Sequence, residues 1–176
     1  MAQLTMKRAE EILAKHVTQA HLFTHAAAVS AAMGAMAERF GEDKAHWEAI
    51  GYLHDVDFEQ YPDEHCRHVR ELLEPEKVDE ADIRAIISHG WGLCTDEAKP
   101  ETNMEKSLFT VDELTGIVMT TALMRPAGIS DMEVKSVKKK FKDKKFAAKC
   151  SREVITQGCE MLGLSLDEVM ESTVEG

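Results

Sequence analysis

The sequence predicts an all-α fold in a single domain, on three observations. Apolar–polar alternation of period two, which a half-buried strand needs, is nearly absent from the chain. Residues that start and stop helices recur at helical lengths from Thr5 to Gly163. The length of 176 residues with 44% apolar content suffices for one proper core.

The first helix is predicted over 5–17, with Thr5 as N-cap. A long helix rich in Ala and Met follows over 20–40, and Gly41 ends it. Asp43 suits the cap of a third helix that runs to about His54. Pro62 opens a fourth, to about Leu73, ahead of Pro75. The fifth starts at Asp79 or Glu80 and ends near His89-Gly90. Residues 91–103, with one glycine, one proline and few apolar side chains, read as a loop. A sixth helix spans 104–123 and stops before Arg125-Pro126. After a loop through Gly128 to Asp131, short helices are expected over 131–138 and 141–148. Residues 151–162 form another helix, closed by Gly163. The last begins at Ser165, with Glu168 at capping-box spacing.

Charge and composition narrow the function. No apolar run approaches the ~20 residues of a membrane span. The N-terminus mixes charged and apolar residues, unlike a secretory signal, so a cytoplasmic protein without a membrane partner is expected. The net charge of −11 argues against general nucleic-acid binding. Residues 135–149 hold eight lysines and one aspartate, +7 locally, which leaves −18 on the remainder and raises the question of a small anionic ligand. The alternative for this run is a solvated face. Cys66, Cys94, Cys150 and Cys159 include no C-x-x-C pair and read as reduced, structural thiols.

Several polar residues fall where a helical bundle would turn them inward. His25 lies mid-helix and is followed by the small residues AAAVSAAM, which let a neighbouring helix approach closely. His54-Asp55 ends the third helix and His89 ends the fifth. Asp112 interrupts the apolar helix SLFTVDELTGIVMTTAL, where a carboxylate is costly to bury unless it is paired or bound to a cation. Bundle cores build metal sites from such residues on facing helices. Imidazole and carboxylate ligands without sulfur suit Zn, Fe, Mn, Co or Ni. His21 and His25 stand four apart, but the glutamate of H-E-x-x-H is missing, so a zinc-protease reading fails. His16 and His46 sit among charged residues and are expected in solvent; Asp57 and Glu59 read as solvated loop residues that could instead orient a water or a histidine.

The order His25, His54-Asp55, Asp112 on an all-α chain resembles the HD-domain superfamily of metal-dependent phosphohydrolases. The resemblance covers about residues 18–125. The stretches "HDVDFEQYPDEH", "DELTGIV" and "VKKKFKDKKFA" resemble a bacterial subgroup of it. It implies an HD-type helical bundle with a helical C-terminal extension over about 126–176. It also implies a metal held by His25, His54, Asp55 and Asp112, with His54 and Asp55 at the catalytic centre. Some members hold a second metal, bridged by the doublet's aspartate and bound by two further histidines. His65 and His89 are the candidates here, with His68 ranked below His65. One or two divalent metals per chain are therefore expected. The implied reaction is attack of a metal-activated water on a phosphate ester of a small molecule, plausibly a nucleotide.

One departure bears on the substrate. Many of these enzymes carry a lysine three residues after the aspartate; here Phe58 stands there. A cation for phosphate must come from elsewhere, first from Arg125, then from Lys138, Lys139, Lys142 and Lys145. Two other readings use the same ligands: a mixed-valent di-iron oxygenase of the HD type, and a metal-stabilised binding module without turnover. Apolar stripes on the terminal helices suit a homo-oligomer and core packing equally.

Overall fold

A computed structural model describes residues 4–91, 95, 97–123, 134–142 and 151–175, without the side chains of 120–123, 134–136 and 174–175. Arg125, Lys145, Cys94 and Cys150 lie outside the described residues, as do the loop over 128–131 and most of the expected helix over 141–148. The fold is all-α. Among the described residues the elements are α1 (Met6–His16), α2 (Ala20–Phe40), α3 (Lys44–Leu53), α4 (Val69–Leu73), α5 (Glu80–Ser88), α6 (Asn103–Leu123), α7 (Val134–Lys142), α8 (Arg152–Leu162) and α9 (Leu166–Glu175). No strand occurs among them; the only extended pairing is an isolated bridge between Trp91 and Thr95.

The helix ends follow local chemistry. The Thr5 hydroxyl accepts from the Arg8 N–H and the Asp43 carboxylate from the His46 N–H, so both predicted N-caps form. Gly41 and Gly163 adopt φ of 68° and 69°, the left-handed conformation that closes α2 and α8. Ser165 and Glu168 bond reciprocally as a capping box. Thr102 and Glu105 do the same at the start of α6.

The predicted helix from Pro62 to Leu73 is broken. Pro62–Glu64 form one 3-10 turn, and α4 starts only at Val69. Cys66 between them takes φ of 74°, which no continuous helix allows. The Asp57 carboxylate accepts from His65 Nδ1 and from the His68 backbone N–H, and these bonds hold the chain in the broken form.

One buried apolar cluster runs from Leu4 to Met170. Its centre is the packing of α2 on α3, with α6 against α2 and α8, α1 against α3, and α9 across α2 and α6. A Cβ on Gly51 would lie 3.0 Å from Val29 O, Ser30 Cα and Met33 Cγ, so α3 meets the backbone of α2 directly. The small-residue stretch of α2 is thus the surface on which α3 rests. No helix among the described residues is long and apolar enough to cross a membrane.

Candidate metal centre

Close approach of α2, α3 and α6 brings His25, His54, Asp55 and Asp112 together. His25 Nε2 lies 3.2 Å from His54 Nε2 and 3.1 Å from Asp112 Oδ1. His54 Nε2 lies 3.0 Å from Asp112 Oδ1. Asp55 Oδ2 lies 3.3 Å from His25 Nε2 and 3.2 Å from His54 Nε2. Four donor atoms therefore converge from three helices and a helix end. Metal–ligand bonds of about 2.0–2.2 Å separate neighbouring ligand atoms by roughly 3 Å, which these distances match.

The other oxygen of Asp55 faces a second group. Asp55 Oδ1 lies 3.0 Å from His65 Nε2 and 3.5 Å from His89 Nε2, and those two nitrogens are 2.9 Å apart. One carboxylate thus serves two adjoining pockets, and all six expected ligands are brought together. His68 is not among them. It points outward between Glu64 and Glu71 and stacks on Tyr61, so it does not substitute for His65.

Three of the four histidines are fixed through the ring nitrogen that faces away from the centre. His54 Nδ1–H donates to Gly51 O at 2.6 Å, His65 Nδ1–H to Asp57 at 2.7 Å, and His89 Nδ1–H to Ile86 O. Each bond selects the tautomer that leaves Nε2 as the ligand atom. His54 and His89 receive it because each caps the helix whose carbonyl accepts the bond.

Charge within the centre is balanced between imidazoles and carboxylates. Burial alone would lower the His25 pKa, but the Asp112 and Asp55 carboxylates outweigh it and raise it to about 9. Burial is likewise outweighed at His65, which Asp55 and Asp57 raise to about 10. His54 is raised well above its usual value by the same two aspartates that pair with His25. Burial would raise the Asp55 and Asp112 carboxyls, yet the facing histidines hold both well below the usual range. Without a metal, protons on the imidazoles neutralise the two carboxylates; a divalent ion fits the same place and charge. His25, with 28% of its side chain exposed, is the most open of the six.

Two further residues stand near the centre: Asp57, in the histidine-orienting role that the sequence left open to it, and Cys66, a buried free thiol. Asp57, expected in solvent, is fully buried and holds His65. Its position two residues after Asp55 was the available signal. Cys66, read as a structural thiol, is buried and places Sγ 3.7 Å from His89 Nε2. Glu59 caps the start of α2, accepting from the Thr18 and Gln19 N–H groups. His16 pairs with Gln60. His46, expected in solvent, is half-buried against Asp82 at 2.7 Å. Lys138 pairs with Asp167 of α9, and the Lys139 and Lys142 side chains are exposed. Phe58 is exposed and meets the His65 ring edge-on. Comparison with known proteins finds no matching family model, no matching curated protein and no matching solved structure.

Proposed function

We propose that the chain is a metal-dependent phosphohydrolase acting on a phosphate ester of a small molecule such as a nucleotide. The observation that carries this reading is the division of the Asp55 carboxylate between two pockets of imidazole and carboxylate donors. His25, His54, Asp112 and Asp55 Oδ2 would hold one divalent ion; His65, His89 and Asp55 Oδ1 would hold a second. Bound there, the metals supply a water acidified toward neutral pH and a Lewis acid for a phosphate oxygen. The chain's own residues orient and screen. Gly51 O, Asp57 and Ile86 O fix the rings of His54, His65 and His89. The buried rings of His54 and His89 keep bulk water from the inner side, so a substrate enters on the His25 side. Lys138, Lys139 and Lys142 remain proposed phosphate contacts, as does Arg125.

Phe58 favours a second reading on the same ligands, a mixed-valent di-iron oxygenase. An exposed aromatic ring beside the second pocket, where a phosphate-binding lysine is expected, suits an organic substrate better than a bare phosphate.

Elemental analysis of chain purified without chelators tests the metal centre. About two metals per chain are expected, and Asp55→Ala should lose both along with activity. Full retention of metal and activity in that variant overturns the assignment. Hydrolysis of nucleotides under argon supports the phosphohydrolase. Iron with an absolute need for dioxygen supports the oxygenase, and binding without turnover leaves a ligand-binding module.

A further inference from the structure

The second pocket contains a donor that neither reading uses. Cys66 Sγ lies 3.7 Å from His89 Nε2 and 4.0 Å from His89 Nδ1, so it is nearer the metal-facing nitrogen. His65, Cys66 and His89 each offer a ligand atom, and the three lie within 4.8 Å of one another. A tetrahedral ion with metal–sulfur bonds of about 2.3 Å and metal–nitrogen bonds of about 2.0–2.1 Å separates S and N by roughly 3.6 Å. The Cys66 Sγ–His89 Nε2 spacing of 3.7 Å is close to that edge. His65 and Cys66 are consecutive, and neighbours in an ordinary helix diverge by about 100° around the axis. The left-handed backbone at Cys66 lets both side chains reach His89.

We infer that Cys66 is a thiolate ligand of the second pocket, which then binds through two imidazoles, one carboxylate oxygen and one sulfur. This inference rests on the two-pocket reading above. As the sulfur–metal bond forms, the thiol proton leaves to water. Sulfur makes the pocket selective for borderline ions such as zinc, ferrous iron or cobalt over magnesium and manganese, which prefer oxygen. The two pockets thereby differ in metal preference although they share Asp55.

Cobalt(II) titration of the reduced, metal-free full chain tests this without any assay of turnover. One of two bound equivalents should develop a thiolate-to-cobalt charge-transfer band in the near ultraviolet. Cys66→Ser should abolish the band and weaken that equivalent about tenfold or more, whereas Cys159→Ser and Cys94→Ser should keep it. Two equivalents without the band, or a band that survives in Cys66→Ser, overturn the thiolate ligand and leave the dinuclear reading standing. Failure to bind cobalt at all overturns both. X-ray absorption of the cobalt-loaded wild type keeps the test decisive if the serine variant does not fold. A sulfur neighbour at about 2.3 Å supports the ligand, and only nitrogen and oxygen neighbours exclude it.

Discussion

The Asp57 carboxylate reaches the centre only through His65, which donates to it at 2.7 Å. Its second oxygen accepts from the His68 backbone N–H, so the residue fixes a ring and a chain direction together. Asp57→Asn keeps the shape and removes the charge. It should weaken the second metal about 10–100-fold, the usual loss for such a partner, and leave the first unchanged. Calorimetric titration resolves the two, and equal weakening of both would show that Asp57 supports the whole centre instead. His46 makes a comparable bond away from the centre. The Asp82 carboxylate raises its pKa against the opposing effect of burial, and Asp82 also accepts from the Leu4 N–H. A raised histidine pKa stabilises the fold fully below the unfolded value near 6.5 and loses that contribution as pH rises through the folded value. His46→Gln should therefore cost about 1.5–3 kcal/mol at pH 6 and less at a more alkaline pH. Thermal unfolding at the two values checks this, and a pH-independent cost would exclude protonation as its source.

At the scale of elements, the contact of α2 with α3 sets the spacing of the candidate ligands His25 and His54. Gly51 permits it, since its missing Cβ would meet the α2 backbone at 3.0 Å. Gly51 also supplies the carbonyl that orients His54. Gly51→Ala should cost about 1–3 kcal/mol through overpacking. It should also loosen the first metal by spreading His25 from His54. Gly34→Ala is the control. The nearest atoms to a Cβ there belong to the Glu48 side chain rather than to the α3 backbone, and the substitution improves helix propensity. Melting temperature and metal affinity should fall together for Gly51→Ala and stay unchanged for Gly34→Ala. A drop in stability with undiminished affinity would show that the α2–α3 spacing does not govern the site.

For the whole molecule, a metal bound at the proposed centre would compete with protons for one charged cluster. Without metal, the raised pKa values of His25, about 9, and His65, about 10, add stability that is complete below about 6.5 and is lost as pH rises through 9 and 10. The depressed carboxyls of Asp55 and Asp112 add stability above their usual 3.8 that is lost only in stronger acid. Metal-free chain should thus be most stable near pH 4–6.5. Metal binding displaces the imidazole protons, so its affinity rises with pH. The rise in melting temperature on adding zinc should therefore be larger at pH 8.5 than at pH 6. A zinc effect independent of pH would mean that the histidines are not the ligands.

The helix boundaries and the all-α class were legible because caps, glycine stops and the absence of strand patterning are local properties. Thr5, Gly41, Asp43, Gly163 and Ser165 each act within a turn or two of chain. The six expected ligands were legible as residue types misplaced in otherwise apolar helices, with a family resemblance to order them. Burial was decided only in three dimensions. Asp57 and His46 look like surface residues in the sequence, yet each is drawn inward by a partner 8 and 36 positions away. The break at Cys66 was equally hidden, because the bonds of Asp57 to His65 and His68 override the helical preference of the segment. Sequence by itself pointed to His25, His54, Asp55, His65, His89 and Asp112 as residues that could bind a metal. The tertiary structure decided that one carboxylate faces two pockets and that a thiol stands beside the second, because those facts depend on distances between helices that no local pattern encodes.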